Sequence, residues 1–202
     1  MEGLRERKKR QTREAIAAAA MELFYARGFE AVTVADVARA ADVSEKTVFN
    51  HFATKEDLVF SRGHEKLAER AEAIRLRPPG VPLTRVFEAE TMAWLDRLAD
   101  GPLDDVVALP RLVRESPTLH HRLVHAWEIE AAALTAAVTD EEDDLVAATV
   151  VRALVWAHRL VFRTALRRVL SGEDPVEVAD DLRGQARQAY ARLDAGLARY
   201  EG

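Results

Sequence analysis

The sequence predicts an all-α chain, with a small N-terminal three-helix module followed by a longer helical bundle, about nine helices in total. Three observations carry this. Alternation of β-branched and polar residues is sustained nowhere, while Ala, Leu, Arg and Glu, all good helix formers, dominate the 202 residues. Apolar residues recur at helical spacing, as in Ile16, Ala19, Ala20, Leu23 and Phe24. Helix-capping and helix-breaking residues stand where such runs begin and end.

Taken in order, the first helix should cover about 5–28, closed by Gly28. Thr33 caps a short second helix over 34–41, and Ser44 a third over about 45–51, each hydroxyl meeting free amides of the first turn. Asp42 and Val43 form the tight connection between them. Thr54 caps a fourth helix running from Lys55 to near Leu76. Pro78-Pro79-Gly80 is the clearest break. Five helices follow at about 82–99, 103–115, 117–138, 142–171 and 174–200, and Pro110 should kink or split the sixth helix. The expected domains are 1–54 and 55–202.

The chain has no Cys, which removes disulfides, thiol catalysis and thiolate-bound zinc together. The short apolar run near the N-terminus (IAAAAMELF) is too short to span a membrane, and no secretory signal is visible, so a soluble, cytoplasmic protein is expected. Net charge is −5, yet the charge is uneven. Residues 1–55 hold ten Lys/Arg and eight Asp/Glu, netting +2, which leaves −7 for the remainder. Arg5, Arg7, Lys8, Lys9, Arg10 and Arg13 set six positive charges against Glu2 and Glu6. That run is either a basic arm that meets phosphate or a solvated N-terminus.

The most informative stretch is TVADVARAADVSEKTVFNHFATKEDL, Thr33 to Leu58. Two short capped helices joined by a turn of a few residues make a helix-turn-helix pattern. Val34, Val37 and Ala38 on the first helix, with Val48 and Phe52 on the second, supply the apolar positions that lock the pair. The other face of the second helix carries Glu45, Lys46, Thr47, Phe49, Asn50 and His51, a slender polar face that a major groove admits.

This string resembles the TetR family, whose signature it matches at Thr33, Val37, Ala38, Ala41, Val43, Ser44, Thr47, His51, Phe52, Lys55, Glu56 and Leu58. It departs at Asp42, where Gly is commoner, and at Phe49, where Tyr is usual and where a hydroxyl contact to phosphate is lost. The resemblance implies a dimeric regulator, a repressor released from a palindromic double-stranded DNA operator by a small-molecule effector. Thr33 and Ser44, at helix N-termini, then face phosphate, joined by Arg10 of the basic run. Thr47 and His51 resemble phosphate or base contacts, and Lys55 resembles the family's backbone clamp. A cation at a helix N-terminus works against the dipole, which itself suggests an anionic partner for Lys55. Glu45, Lys46 and Asn50 are expected to read base edges.

The two last helices should form the dimer interface. One stripe reads Val146, Val150, Ala153, Leu154, Ala157, Val161 and Ala165; the other reads Val178, Leu182, Ala186, Ala189, Leu193 and Leu197. The alternative is that both stripes serve the protomer's own core. A second face, Thr149, Arg152, Trp156, Arg159 and Arg163, either closes an anion pocket or pairs with Glu128, Glu130 and the acidic run after Asp140. The ligand-binding residues expected are Trp94, Arg114, Trp127, Arg152, Trp156 and Arg159, for an effector with an apolar body and an anionic group. His120, His121 and His125 lack an acidic ligand at a convincing offset, so no metal site is expected. No cofactor motif or catalytic signature is present, leaving a helical carrier or enzyme with a vestigial helix-turn-helix, or an activator, as the rival readings.

Overall fold

The computed structural model describes residues 3–61, 63–141 and 143–197, the side chains of residues 64, 65, 105 and 197 aside. Ten α-helices make up the described chain: α1 Leu4–Arg27, α2 Val34–Ala40, α3 Glu45–His51, α4 Lys55–Val59, α5 Gly63–Arg75, α6 Leu83–Asp100, α7 Leu103–Glu115, α8 Pro117–Thr135, α9 Leu145–Leu170 and α10 Pro175–Leu197. Ten replace the expected nine because the fourth breaks in two. The Phe60 amide closes α4 on the Glu56 carbonyl, and Gly63, a poor helix former, opens α5 with its amide on the Phe60 carbonyl at 2.9 Å. Pro110 lies inside α7 without splitting it. The last residues of the expected 174–200 helix lie outside the described residues.

Two compact units divide the chain. One comprises residues 1–64 and 108–124; the other comprises 65–107 and 125–202. The first reaches past the boundary expected after residue 54, because its core needs a lid. Ile16, Ala20 and Phe24 of α1, Val37 and Ala38 of α2, and Val48 and Phe52 around α3 are buried together with Leu112, Val113 and Leu119. Gly28 ends α1 at φ 80°, a left-handed conformation that suits glycine, with its amide on the Phe24 carbonyl at 2.8 Å. The loop that follows is fastened by Lys55. Its Nζ donates to the carbonyls of Phe29 (2.9 Å) and Val32 (3.0 Å) and lies 4.0 Å from the centroid of the Phe29 ring. Its place at a helix N-terminus thus has an internal explanation, and an external anion is not needed to account for it.

In the second unit, Ile74, Phe87, Leu134, Val151, Leu154 and Tyr190 form one core and Leu95, Leu98, Val107, Ala165, Val178 and Leu182 another. The two expected dimer stripes are largely consumed here. Leu154, Ala165, Val178, Leu182 and Ala186 are buried, and Val150, Ala157, Val161 and Leu193 pack against the cores. Only Val146, Ala153 and Ala189 of those stripes are exposed, and the Leu197 side chain lies outside the described residues. The face that α9 leaves open carries Val146, Trp156 and Leu160 instead.

Between the helices sits a buried polar junction. Thr91 Oγ1 donates to the Phe87 carbonyl one turn back, at 2.8 Å. That spends its only hydrogen, so Tyr190 Oη–H and His158 Nδ1–H donate to Thr91, each at 2.8 Å. Burial holds the Tyr190 phenol up at about 12 and, as the largest influence, drives the His158 pKa down to about 4.

Two outcomes follow. Lys55→Met keeps the stem against Phe29 and removes the ammonium, so it should cost about 1–3 kcal/mol in urea unfolding by stranding two carbonyls; an unchanged midpoint would show the staple to be idle. His158 is neutral when folded and protonates near 6.5 when unfolded. Its contribution is therefore complete above pH 6.5 and is lost as pH falls toward 4, at about 1.4 kcal/mol per unit. Unfolding free energy measured from pH 7 to 5 should show that extra slope, and His158→Gln should remove it.

Candidate nucleic-acid interface

The helix-turn-helix is built from helix ends. Thr33 and Asp36 make a reciprocal capping box: the Asp36 amide donates to Thr33 Oγ1 at 3.1 Å, and the Thr33 amide to Asp36 Oδ2 at 3.1 Å. Those hydrogen bonds to Thr33, with Arg39 and Arg27 beside them, hold the Asp36 carboxyl down at about 2. Between α2 and α3 the chain closes a Schellman turn. The Val43 amide donates to the Ala38 carbonyl at 2.9 Å and the Asp42 amide to the Arg39 carbonyl at 3.3 Å, with Asp42 itself at φ 53°. An aspartate thus takes the left-handed place where glycine is usual. Ser44 Oγ accepts the Thr47 amide at 3.1 Å and shares a 2.8 Å hydrogen bond with Thr47 Oγ1.

These caps orient α3 so that Val48 and the following Phe52 are buried, 1 % and 2 % exposed. Glu45, Lys46, Phe49 and Asn50 are exposed on its other side, with Thr47 and His51 half-buried. Phe49 is a large ring left half in water, 52 % exposed. Of the sequence-predicted residues, Arg10, Asn50 and His51 line one cleft, while the Lys55 ammonium turns to the loop of α1–α2. Thr33 and Ser44 hydroxyls are both engaged in caps.

One residue outside the sequence-predicted site proves central. Arg13 of α1 donates through Nη1 to the His51 carbonyl at the end of α3, and its guanidinium lies 4.1 Å from the centroid of the Phe52 ring. It satisfies a C-terminal carbonyl that α3 cannot satisfy itself. In the sequence Arg13 is one charge among six, and only its spacing from the apolar positions of α1 marks it as facing inward. Beside it a cleft of about 380 Å³ is lined by Glu6, Lys9, Arg10, Arg13, Asn50 and His51. Burial first, then Arg13 and Lys9, hold the His51 imidazole below its ordinary pKa of 6.5.

The same unit is braced from α7 and α8. Ser116 Oγ donates to Glu30 Oε1 at 2.6 Å and accepts the Leu119 amide at 3.2 Å. Arg122 Nη2 donates to Asp57 Oδ1 at 2.7 Å. Asp57 also answers the Thr54 cap, so α4 is clasped from both sides.

Of the ligand residues expected from sequence, Arg114 is exposed and lies in the first unit; the others are in the second. Trp94 stacks at a tilt on Phe162 with ring centroids 4.6 Å apart. Trp127 meets Trp156 edge-on at 6.4 Å, and the Arg159 guanidinium lies 4.2 Å over the Trp127 ring. Arg159 pairs with Glu130, whose other oxygen takes Arg70, and Arg70 also reaches Glu90. Arg152 pairs with Glu128 at 3.6 Å. Arg152 and Arg159 of that face thus meet Glu128 and Glu130, while Arg163 is exposed. Burial, with Arg70 close by, brings the Arg159 guanidinium down to about 9. Arg70 Nε and Arg159 Nε are buried with no hydrogen-bond partner among the described residues. His120, His121 and His125 are exposed, and His121 Nδ1 donates to the Pro117 carbonyl.

Residues 16–61 match the model of the bacterial regulatory proteins of the tetR family. Over 122 residues the chain is 36 % identical to the HTH-type transcriptional regulator TcmR of Streptomyces glaucescens, covering 58 % of this chain and 54 % of TcmR. The chain thus matches only about half the length of that relative. Among solved structures, NalD, the secondary repressor of the MexAB-OprM multidrug efflux pump in Pseudomonas aeruginosa, superposes with a TM-score of 0.57 at 19 % identity, over 91 % of this chain and 97 % of NalD. The regulator FadR from Bacillus subtilis, in complex with stearoyl-CoA, gives 0.52 at 16 % identity, over 86 % of this chain and 96 % of FadR. These two likenesses establish the fold. The matched segment, residues 16–61, holds the helix-turn-helix, and over it the chain is similar to the bacterial regulatory proteins of the tetR family.

Proposed function

We propose that the protein is a dimeric, cytoplasmic repressor that binds a palindromic operator in double-stranded DNA through α3 and is released by a small-molecule effector. The observation that carries the reading is the two-faced character of α3: Val48 is buried in the module's core while Glu45, Lys46, Phe49 and Asn50 stand in solvent. A short helix that presents polar side chains and one ring on its open face has the shape and hydrogen-bonding groups that a major groove accepts. Lys46 and Asn50 are the base-reading side chains, suited to guanine and adenine edges respectively.

One such module buries too little surface to select an operator. Two modules about 34–36 Å apart would do so, and two-fold symmetry supplies the second. The surface we assign to the dimer is the open face of α9, where Val146, Trp156 and Leu160 are 69 %, 55 % and 47 % exposed. Among the described residues α9 is the one helix long and apolar enough to cross a membrane, and 28 % of its most apolar stretch is buried. Its buried residues pack into the protomer's core, and Arg152 and Arg163 flank its open face, which suits a protein partner better than lipid.

The effector we assign to the second unit, with an apolar body and an anionic group, is supported by the Trp127–Trp156 pair and by the two buried guanidinium N–H groups of Arg70 and Arg159, which an incoming acceptor would satisfy. FadR from Bacillus subtilis, a protein of the same fold, is in complex with stearoyl-CoA.

The test is fluorescence anisotropy with a duplex from the promoter upstream of the gene, titrated with salt. Binding should weaken steeply as salt rises, and Lys46→Ala with Asn50→Ala should lower the preference for that duplex over a random one by at least about tenfold. Salt-insensitive binding, or a preference that both substitutions leave intact, would refute the assignment of α3.

A further inference from the structure

Phe24, Phe29 and Phe52 are buried in the first unit, and each ring has a partner there. Phe24 and Phe29 lie against each other with centroids 5.2 Å apart, the Lys55 ammonium sits over Phe29, and the Arg13 guanidinium sits over Phe52. Phe49 does not join them. The Ser44 cap and the buried Val48 fix the turn of α3, and the Phe49 ring leaves from the open side, 52 % exposed. Residues three and four apart are neighbours on a helix, so Phe49 stands beside Lys46 and Glu45, and Asn50 follows it directly. Those three side chains carry hydrogen-bonding groups; the phenyl ring carries none.

A single exposed ring is ordinary on a protein surface. One set among the polar side chains of a face that enters a groove constrains what can lie opposite it. The floor of the major groove is almost wholly hydrogen-bonding: purine N7, guanine O6, thymine O4 and the amino groups of adenine and cytosine. Its one apolar group is the pyrimidine C5-methyl. A phenyl ring pressed on any of the others strands a donor or acceptor away from water, which is unfavourable. Pressed on a methyl, it removes apolar surface of both partners from water.

We propose that Phe49 selects a pyrimidine C5-methyl, that of thymine in unmodified DNA or of 5-methylcytosine in methylated DNA. It thereby specifies a base position separate from those read by Lys46 and Asn50. The proposal rests on the reading of α3 as the groove helix. Where tyrosine is usual, Phe49 has no hydroxyl to spend on a phosphate, so its contribution is selection among bases rather than attachment to the backbone.

The probe is a short duplex that the unaltered protein enriches from a random-sequence pool. Each thymine in it is replaced in turn by deoxyuridine, which deletes only the C5-methyl. At the position under Phe49 the replacement should weaken binding about fourfold, the worth of one buried methyl. Phe49→Ala should be indifferent to that same replacement, and Phe49→Leu should keep part of the effect. Removing a methyl also changes groove shape and stiffness, but an effect of shape alone persists in Phe49→Ala. At the same position 5-methylcytosine should bind more tightly than cytosine by a similar factor, and whichever of 5-methylcytosine and thymine binds more tightly identifies the source of the methyl. Circular dichroism checks that each variant is folded. If no single methyl matters, or if one matters equally in Phe49→Ala, the role of Phe49 is overturned; a preference still lost in Lys46→Ala with Asn50→Ala then leaves α3 as the groove helix. A pool from which no duplex is enriched overturns both.

Discussion

Short helices have more loose ends than interior, and the recognition module is organised around that constraint. The first four amides and last four carbonyls of any α-helix lack partners within it, so α2 and α3, at seven residues each, could not persist on their own backbone bonding. Each end is answered from outside: the Thr33–Asp36 box, the Schellman closure at Asp42, the Ser44 cap, and Arg13 on the His51 carbonyl. Lys55 does the same for the carbonyls of Phe29 and Val32. With the polar ends secured, Val37, Val48 and Phe52 can be buried almost completely, and α3 is left facing outward in a single orientation.

The second unit solves a different problem. Its helices are long enough to form on packing alone, yet the interior holds Arg70, Glu90, Glu130 and Arg159 as a chain of paired charges with side chains 12–35 % exposed. Buried ion pairs seldom stabilise more than well-packed apolar groups would, because desolvation offsets the attraction. Two guanidinium N–H groups without partners make this network less favourable still. The Thr91–His158–Tyr190 junction, by contrast, has every hydrogen at Thr91 accounted for and ties α6, α9 and α10 together.

Much of this was legible in the residues. Caps at Thr33, Ser44 and Thr54, the closing Gly28 and the apolar spacing of Val37, Val48 and Phe52 are local signals, and they mark the starts of α2, α3 and α4, the end of α1 and the exposed face of α3. What failed to show was anything decided by partners distant in sequence. The break at Phe60–Gly63 is a separate case: it carries a local signal, Ser61 and the poor helix former Gly63, which the helical spacing on either side outweighs. The small-residue stripes on α9 and α10 have the spacing of an interface, but periodicity marks only that a face is apolar, not which surface covers it; Leu154, Leu182 and Ala186 are covered within the protomer. Arg159 and Glu130 lie 29 residues apart, so their pairing depends on how α8 and α9 pack.

The same distinction changes how the positive charge of the N-terminal module is understood. Composition gives ten basic residues among the first 55, but the fold divides them. Arg13 is bound to a helix carbonyl, Lys55 to two loop carbonyls, and Arg27 and Arg39 lie beside Asp36. Arg5, Arg7, Lys8, Lys9 and Lys46 are exposed, four of them on the first turns of α1. Electropositive character is thus concentrated on the first turns of α1, while Glu45 balances Lys46 on the open side of α3 and the cations nearest the core hold α3 in place. A substitution that removes a basic residue will therefore weaken phosphate attraction or loosen the recognition helix according to its position, and net charge alone cannot distinguish the two effects.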